Sequence, residues 1–441
     1  MIVALLLAGG CADISLNVAL DQEVIDPLYG GHEQGSNTSE EDPGDSGVPV
    51  EDVYDLPDDT GEILEQAVQV WTWSGRTPTR LRALQGSIGG RVMLADLTGD
   101  GRLEVIHLNV TASGDRSELT IWPGTPVGPG PSMTLPLAGA CTSALVEDLN
   151  GDGHPDLLAS TGAVVQFFAG RPGGFTPPEE VEQAAGVVVL GAADLDGDGV
   201  AEAVTVVAGA TTMLMVWAGG SNEGLSEVGS VDLGPGVLPP MSLAPLALAG
   251  HAGSVGLLAE ARPDSSSTRY VQWDHANERP VLAELDVVRD TCMGCPMVAA
   301  FGEDLDADGQ SEVVSTGLTG LYTWNPALSA VREVRAGDAA QEHVLGLTRV
   351  DLDGDGANDA LELISRGLDA AHAELRLQPS LARGGALEAA APFVVDASAG
   401  ALLGATLVAA QLDDDDCADA VVLDGMYQPW LVRGLCRPEA P

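Results

Sequence analysis

The segment ADLDGDGVAEAVTVV, residues 193–207, places four acidic residues in a pattern that could hold a cation. Within it, the nine-residue stretch DLDGDGVAE has Asp at positions 1, 3 and 5, Gly at position 6 and Glu at position 9. The four acidic side chains offer hard oxygen ligands, the glycine permits a sharp turn, and the backbone carbonyl at position 7 can add another oxygen. This donor set suits calcium better than zinc or copper, and better than magnesium, which keeps its waters and needs tighter geometry.

Five further copies of this pattern occur along the chain. They are DLTGDGRLE from Asp96, DLNGDGHPD from Asp148, DLDADGQSE from Asp304, DLDGDGAND from Asp351 and QLDDDDCAD from Gln411. Successive copies begin roughly 50 residues apart, except for one interval of about twice that length between Asp194 and Asp304. A seventh unit is expected in that interval, where LAGHAGSVG keeps Gly253 at the sixth position but carries no acidic residue.

Short apolar runs surround each acidic loop in the same order. One run, such as VVVLGAA, precedes the loop, and another, such as EAVTVVA, follows it. A third run often carries an aromatic residue, as in MLMVWAGG, and a weaker fourth run comes next. Val, Leu and Ala bounded by Gly, Asp and Pro predict buried strands, whereas the long helical periodicity of a helical repeat is absent. Four strands per unit at this period predict an all-β fold, a seven-bladed β-propeller of four-stranded blades.

The two ends of the repeat region predict how the ring closes. Residues 66–85 resemble the third and fourth strands of a unit, whereas the last unit ends soon after its third strand, near Trp430. The simplest closure has residues 79–84 completing the last blade, which would hide an open sheet edge. Trp71 and Trp73 then form an extra copy of a third strand, to which this closure gives no place.

The motif and its period resemble the FG-GAP/VCBS repeat family, the calcium-binding propeller repeats also found in the integrin alpha-chain head. The resemblance covers residues 66–441 and implies that each acidic loop is a hairpin between the first two strands of a blade, holding one calcium ion, with about five to six ions in all. Carried over by position, the implied ligands are Asp96, Thr98, Asp100 and Glu104; Asp148, Asn150, Asp152 and Asp156; Asp194, Asp196, Asp198 and Glu202; Asp304, Asp306, Asp308 and Glu312; Asp351, Asp353, Asp355 and Asp359; and Asp413, Asp415 and Asp419. In the seventh loop Gln411 stands at position 1 and Asp416 replaces the turn glycine, and the fourth loop is expected to be empty.

Tight turns rich in Asp and Gly are the alternative interpretation of these loops, because both residue types favour turns without any metal. A turn does not, however, require an acid three residues past its glycine, inside the next strand. An EF-hand is excluded, because its closing Glu stands at position 12 and helices flank its loop.

The composition restricts the possible partners. The chain has 441 residues, of which 19 are basic and 66 acidic, for a formal net charge of −47. Every basic residue is Arg. Nucleic acid is therefore excluded as an expected partner, since phosphate binding needs basic patches.

The N-terminal region predicts export. Residues 1–10 are apolar, as in a signal peptide, and Cys11 follows as the expected lipid-bearing residue of a bacterial lipoprotein. Residues 11–65 are acidic and rich in Gly, Ser and Pro, which predicts a disordered linker before the propeller of residues 66–441. The other cysteines also fit an exported protein: Cys292 and Cys295 suggest a local disulfide, Cys417 and Cys436 could join the ends of a hairpin, and Cys141 leaves the count odd.

No catalytic constellation stands out in the sequence. His107 is expected to be a hydrogen-bonded residue of a blade, and the third-strand tryptophans are expected to pack between blades. The leading hypothesis is a monomeric, non-enzymatic cell-surface adhesion module that binds a protein or glycan through loops on one face. The alternatives are a hydrolase or lyase acting on polysaccharide or lipid, and a structural subunit of an envelope assembly.

Overall fold

The computed structural model describes residues 79–81 and, apart from short gaps between strands, residues 90–435. Every regular element among these residues is a β-strand, which confirms the all-β prediction. The strands, numbered here in chain order from β1 (Thr79–Arg80), form seven antiparallel blades.

The first three blades follow one another along the chain. Blade 1 contains β2 (Gly90–Ala95), β3 (Glu104–Val110), β4 (Ser117–Trp122) and β5 (Met133–Leu137). Blade 2 contains β6 (Ser143–Glu147), β7 (Asp156–Ser160), β8 (Val165–Phe168) and β11 (Glu179–Glu182), with a small hairpin of β9 (Gly170–Arg171) and β10 (Gly174–Phe175) before its last strand. Blade 3 contains β12 (Val187–Ala193), β13 (Glu202–Val207), β14 (Thr211–Ala218) and β15 (Ser226–Pro235).

The remaining blades keep the same antiparallel order. Blade 4 contains β16 (Ser242–Ala247), β17 (Ser254–Ala259), β18 (Ser267–Asp274) and β19 (Arg279–Asp286), and blade 5 contains β20 (Ala299–Glu303), β21 (Glu312–Thr316), β22 (Leu321–Asn325) and β23 (Ala330–Arg335). Blade 6 contains β24 (Glu342–Val350), β25 (Asp359–Arg366), β26 (Glu374–Arg383), β27 (Ala386–Ala389) and β28 (Phe393–Asp396). Blade 7 contains β29 (Thr406–Ala410), β30 (Ala418–Leu423), β31 (Pro429–Leu435) and β1.

The first strands of the blades form the inner wall of a closed ring. Each one contacts the first strand of the next blade, and β29 of blade 7 contacts β2 of blade 1. Seven blades around a common axis, six of four strands and one whose outer strand is divided in two, make a β-propeller, as the repeat predicted.

The N-terminal strand closes this ring. Thr79 and Arg80 pair antiparallel with Leu431 and Trp430 of β31, so β1 is the outer strand of the last blade. The backbone N–H of Leu81 extends the pairing by donating to the carbonyl of Pro429 at 2.9 Å. The predicted closure is confirmed over these residues, whereas Trp71 and Trp73 lie outside the described residues.

Apolar side chains from facing sheets fill the junctions between blades. The second strand of a blade is covered on both sides, and all seven residues of β3 are buried. Trp122 lies at the junction of blades 7 and 1, Trp217 at that of blades 2 and 3, and Trp324 at that of blades 4 and 5. These third-strand tryptophans pack between blades, as predicted.

Blade 6 departs from the regular pattern in its outer strand. Both β27 and β28 pair with β26, because the outer strand is broken around Pro392, which has no N–H for the ladder. Ala390 next to the break still donates its N–H to the carbonyl of Pro379 at 2.9 Å.

The described cysteines have different states. Cys417 is disulfide-bonded, and Cys141 is a buried thiol outside any disulfide. Cys11, Cys292, Cys295 and Cys436 lie outside the described residues, so both predicted pairings stay predictions.

Candidate metal centres

The acidic loops all connect the first strand of a blade to the second. In five blades the acid at position 9 is the first residue of the second strand; in blade 7 it is the second. These acids are nearly or fully buried: Glu104, Asp156, Glu202, Glu312, Asp359 and Asp419. The hairpin placement expected from the resemblance is therefore what the structure has.

The aspartate at position 1 organises the turn through its carboxylate. In blade 3, Oδ1 of Asp194 accepts the N–H of Gly197 at 2.7 Å, and Oδ2 accepts the N–H of Gly199 at 3.2 Å. The same pair of bonds recurs at Asp96, Asp148 and Asp351. The two oxygens of this carboxylate therefore hold the turn in place through backbone hydrogen bonds, without any cation.

Two left-handed residues per loop make this wrapping possible. Gly197 and Gly199 have φ angles of 80° and 91°, which glycine adopts without strain. The sequence pattern indicated a left-handed residue only at position 6. The structure shows that position 4 also adopts a left-handed conformation. In blade 5, Ala307 takes φ 59° at position 4, where a side chain is disfavoured.

The acid at position 9 joins the loop to the third strand of its blade. Oδ2 of Asp359 accepts the N–H of Leu352 at 2.8 Å, and Oδ1 accepts the N–H of Ala382 on β26 at 2.6 Å. Asp156 and Glu104 make the equivalent pair of bonds. This buried acid therefore has a structural role of its own, which the sequence argument for a metal ligand did not foresee.

Three loops bring carboxylate oxygens close enough to share one cation. The groups are Asp194, Asp196 and Glu202; Asp304, Asp306 and Asp308; and Asp351, Asp353 and Asp355, with ligand atoms within 4.8 Å of one another. Oxygens that bind the same calcium at about 2.4 Å can lie at most about 4.8 Å apart. In blade 6, Oδ1 of Asp353 is buried and has no hydrogen-bond partner among the described residues, so this oxygen is available to bind a cation. The donor set fits calcium.

Loops 1 and 2 have a neutral residue at position 3. The Thr98 hydroxyl lies 3.4 Å from Oδ1 of Asp96, and the Asn150 amide nitrogen lies 3.3 Å from Oδ2 of Asp152. The acids at position 5, Asp100 and Asp152, each accept the backbone N–H two residues further on. Each of these loops has three acids, one fewer than loops 3, 5 and 6, and the three are not among the groups whose ligand atoms lie within 4.8 Å of one another.

In the seventh loop, two of the described acids lie next to arginines. Arg102 from loop 1 pairs with both oxygens of Asp414 at 3.2 Å, and Arg433 of β31 lies 3.8 Å from Asp413. Asp419 accepts the N–H of Gly434 at 2.8 Å, whereas Asp415 lies outside the described residues. Two guanidinium groups supply positive charge in this loop.

The acid-free fourth loop is shorter than the sequence alignment implied. The strand β17 begins at Ser254, so six residues rather than eight separate the first two strands. The N–H of Ser254 donates to the carbonyl of Asp194 at 2.6 Å, and a Cβ added to Gly253 would lie 2.4 Å from that same oxygen. This loop serves as a support for the acidic loop of blade 3.

Connections from the following blade cover several of the acidic loops. The N–H of Gly173 in blade 2 donates to the carbonyl of Leu97 in loop 1 at 3.1 Å. A Cβ added to Gly219 of blade 3 would lie 2.4 Å from the carbonyl of Leu149 in loop 2, and one added to Gly385 of blade 6 would lie 3.1 Å from Asp306. The order of each loop is thereby linked to the packing of two blades.

A second charged cluster, missed from sequence, lies where the first strands end at the loop side of the ring. Glu303 ends β20, and Arg349 is the penultimate residue of β24 at 3.6 Å from it. Asn358 donates its amide to both oxygens of Glu303, at 3.2 and 3.1 Å. Glu147, at the end of β6, is exposed to solvent. Partial desolvation of its carboxyl group and the charge of Asp148 raise the pKa of Glu147, whereas the charge of Arg349 lowers it.

His107 corrects another expectation. It is fully buried in β3 and stacks on Trp122, but neither ring nitrogen has a hydrogen-bond partner among the described residues. Burial lowers the pKa of His107 to about 4, so it is a neutral packing residue at neutral pH. The prediction of a hydrogen-bonded histidine is wrong, while its position inside a blade is as expected.

Comparison with known proteins supports the architecture. Residues 148–205, from loop 2 to the middle of β13, match the model of the FG-GAP-like repeat. No curated protein matches the chain. The match, together with the ring of acidic hairpin blades, supports the resemblance to FG-GAP repeat propellers that the sequence motif indicated.

Solved structures give more distant likenesses. The extracellular domain of a putative one-component system from B. thetaiotaomicron is 11% identical with a TM-score of 0.45, covering 81% of this chain and 40% of that one. The exotype rhamnogalacturonan lyase YesX is 13% identical with a TM-score of 0.46, covering 82% and 76%. The core factor of S. cerevisiae is 9% identical with a TM-score of 0.47, covering 80% and 60%. The chain thus spans well under half of the first of these, and likenesses this distant carry no argument about function.

We predict that the protein without calcium becomes less stable as the pH rises from about 5 to 8. Burial first, and neighbouring acids second, raise the pKa of Asp156 to about 6 and those of Glu202 and Asp359 to about 7. Because folding raises these pKa values, the folded state holds extra protons in this window, and the stabilisation is lost as they dissociate. Thermal midpoints in EDTA across this pH range measure the effect.

The matched variant carries Glu202→Gln and Asp359→Asn. Its midpoint should depend less steeply on pH between 5 and 8 than that of the unmodified protein. Identical slopes would show that these two acids do not control the transition. Saturating calcium should also flatten the dependence, since cation binding favours the ionised carboxylates.

Proposed function

We propose that the protein is an exported, calcium-stabilised propeller that binds a protein or glycan partner at the cell surface without catalysing a reaction. The observation that supports calcium is the grouping of hairpin carboxylates within 4.8 Å in blades 3, 5 and 6. Loops 1 and 2 supply the same positions with one neutral ligand each. Five sites are proposed, because arginines pair with Asp413 and Asp414 of the seventh loop, Gln411 replaces its first acid, and the fourth loop has no acids.

Calcium would act on stability rather than on chemistry. Each loop places several carboxylates near one another, and their mutual repulsion opposes folding when no cation is present. A cation that binds only the folded state stabilises it by about 2.7 kcal/mol per site at a hundred times its dissociation constant. Because neighbouring blades cover these loops, the bound ions would also stiffen the junctions between blades.

We expect calcium to raise the thermal midpoint and Asp196→Asn to lower the number of bound ions by one. Asp196 is in the third loop, within the Asp194 and Glu202 group. Isothermal titration calorimetry gives the stoichiometry, and thermal scans with calcium and with EDTA give the stabilisation. Glu227→Gln, on an exposed position of β15, is the matched control and should bind as many ions as the unmodified protein. Equal midpoints in calcium and EDTA would refute the proposal.

Anchoring at the cell surface would follow from lipid attachment at Cys11. No helix able to cross a membrane is found in the described part of the chain. Expressed in a bacterium with its native N-terminal region, the protein should fractionate with membranes, and Cys11→Ser should move it to the soluble fraction. Membrane association that survives the substitution would argue against lipidation of this residue.

The proposed binding role predicts a partner whose affinity depends on calcium. Propeller loops on one face present a continuous surface, and ordering of the acidic hairpins would pre-organise it. An array of glycans and surface proteins, probed in calcium and again in EDTA, should show at least one ligand retained only in calcium. Turnover of an arrayed glycan or lipid, detected as product release, would favour the enzymatic alternative.

A further inference from the structure

Asn150 and Gly151, at positions 3 and 4 of loop 2, form a dipeptide that can react with itself. No other asparagine of the chain is followed by glycine. The backbone nitrogen of a residue can attack the side-chain amide carbon of a preceding asparagine and close a five-membered ring, and a glycine nitrogen is the least hindered because glycine has no Cβ. At position 3 the other acidic loops have Thr98, Asp196, Asp306, Asp353 and Asp413. Loop 2 is therefore the acidic loop with an amide at this position.

The structure places a base on the attacking nitrogen. Oδ1 of Asp148 accepts the N–H of Gly151 at 2.8 Å, so this carboxylate is positioned to take the proton that the nitrogen loses. The backbone N–H of Asp152 donates to Oδ1 of Asn150 at 2.9 Å. A donor on the amide oxygen stabilises the negative charge that develops there during attack. The loop thus polarises both the nucleophile and the carbonyl group that it attacks.

The amide nitrogen of Asn150 lies close to two acids of its own loop. Nδ2 is 3.3 Å from Oδ2 of Asp152 and 3.4 Å from Oδ1 of Asp156, so it serves both carboxylates as a neutral donor. An oxygen in place of this nitrogen would convert both hydrogen bonds into repulsion. It would also give loop 2 the same four acidic positions as loop 3. Loss of the amide would therefore make loop 2 more dependent on a cation.

We propose that Asn150 deamidates in the protein without calcium, and that the aspartate product binds calcium more tightly at loop 2. The nitrogen of Gly151 attacks Cγ of Asn150, its proton passes through Asp148 to Nδ2, and the bond between Cγ and Nδ2 breaks to release ammonia. Water then opens the cyclic imide. Addition of water at Cγ gives aspartate, whereas addition at the backbone carbonyl gives isoaspartate, so the net reaction consumes one water and releases one ammonia.

Calcium would oppose this reaction. The inference rests on the proposed calcium site of loop 2, in which Asp148 is a ligand. A cation held by that carboxylate would make it a poorer base toward the N–H of Gly151. Only the aspartate product would complete the site, because isoaspartate lengthens the backbone beside Gly151, where an added Cβ would already lie 2.8 Å from Val200 of loop 3.

The test is incubation of the full chain in EDTA and in calcium at neutral pH, followed by peptide mapping with mass spectrometry. In EDTA, Asn150 should convert to aspartate and isoaspartate, and in water labelled with heavy oxygen the products should carry the label. At about a hundred times the dissociation constant, calcium should slow the conversion about a hundredfold, because only the calcium-free loop reacts. Asn277, an exposed asparagine followed by Glu278, is the internal control and should stay unmodified.

Two results would overturn the inference. One is an unmodified Asn150 in EDTA under conditions in which a synthetic peptide of residues 145–156 deamidates. The other is conversion at equal rates with and without calcium, which would remove the cation from the control of this reaction. Neither result bears on the calcium sites of the other loops, since the calorimetric stoichiometry of the unmodified protein tests those separately.

Variants separate the base from the product. Asp148→Asn should slow the conversion in EDTA about tenfold or more, because it removes the base. Asp232→Asn, at an exposed position of β15, is the matched control and should leave the rate unchanged. Thermal midpoints establish that the variants are folded. An unchanged or faster conversion in folded Asp148→Asn would overturn the role of Asp148.

The product can be made directly. Asn150→Asp should raise the affinity of one calcium site about tenfold in calorimetric titration, since a carboxylate replaces a neutral ligand. Asn150→Gln should resist the reaction, because its longer side chain would have to close a six-membered ring. Equal or weaker calcium affinity in folded Asn150→Asp would overturn the proposed gain in binding.

Discussion

A buried carboxylate at the start of the second strand is the interaction on which each acidic blade depends. It accepts one backbone N–H from the beginning of its hairpin and, in most blades, another from the end of the third strand, as Asp359 does with Leu352 and Ala382. These two bonds fix the hairpin against the sheet and satisfy donors that the turn would otherwise leave unpaired. The acid at this position is almost inaccessible to solvent, so its ionised form is costly. The same acid nevertheless supplies the hydrogen bonds that hold the hairpin in position.

That cost explains how a bound cation would stabilise the loop. The pKa of Glu202 is raised to about 7, first by burial and then by the acids at positions 3, 5 and 1 of its own loop. A calcium ion among those oxygens would reverse the sign of the local field and favour the ionised form. Hydrogen bonds and metal ligation are thus not competing explanations of the motif, because the bonds position the oxygens that a cation would then neutralise.

The sequence was sufficient to predict the propeller because each blade repeats the same local signals. The Asp spacing, the turn glycine at position 6 and the apolar runs on either side are all contained in one stretch of chain, so their recurrence revealed seven units, including the acid-free one. The left-handed position 4 went unnoticed, although Gly99, Gly151, Gly197 and Gly354 recur there. Nothing local could predict that Asp359 bonds to Ala382, since the sheet brings that residue into place.

Contacts between blades were harder still to foresee. Arg349 and Asn358 come from blade 6 and Glu303 comes from blade 5, so their contacts exist only where the two blades pack together. His107 is likewise buried without a hydrogen-bond partner among the described residues, and it stacks on Trp122, which packs at the ring closure. Sequence periodicity predicts the members of a repeat, whereas these features depend on how the repeats differ at equivalent positions.

The hairpins differ in how they deal with the repulsion between neighbouring acids, and three arrangements occur. Blades 3, 5 and 6 gather carboxylates around a space suited to a divalent cation. Blade 7 brings guanidinium groups, with Arg102 reaching across the ring closure to Asp414. Blade 4 removes the acids, shortens the loop and uses Ser254 to support Asp194 of the preceding blade. Since the hairpins of all these blades join equivalent strands, the fold does not require the same set of charged residues at each junction.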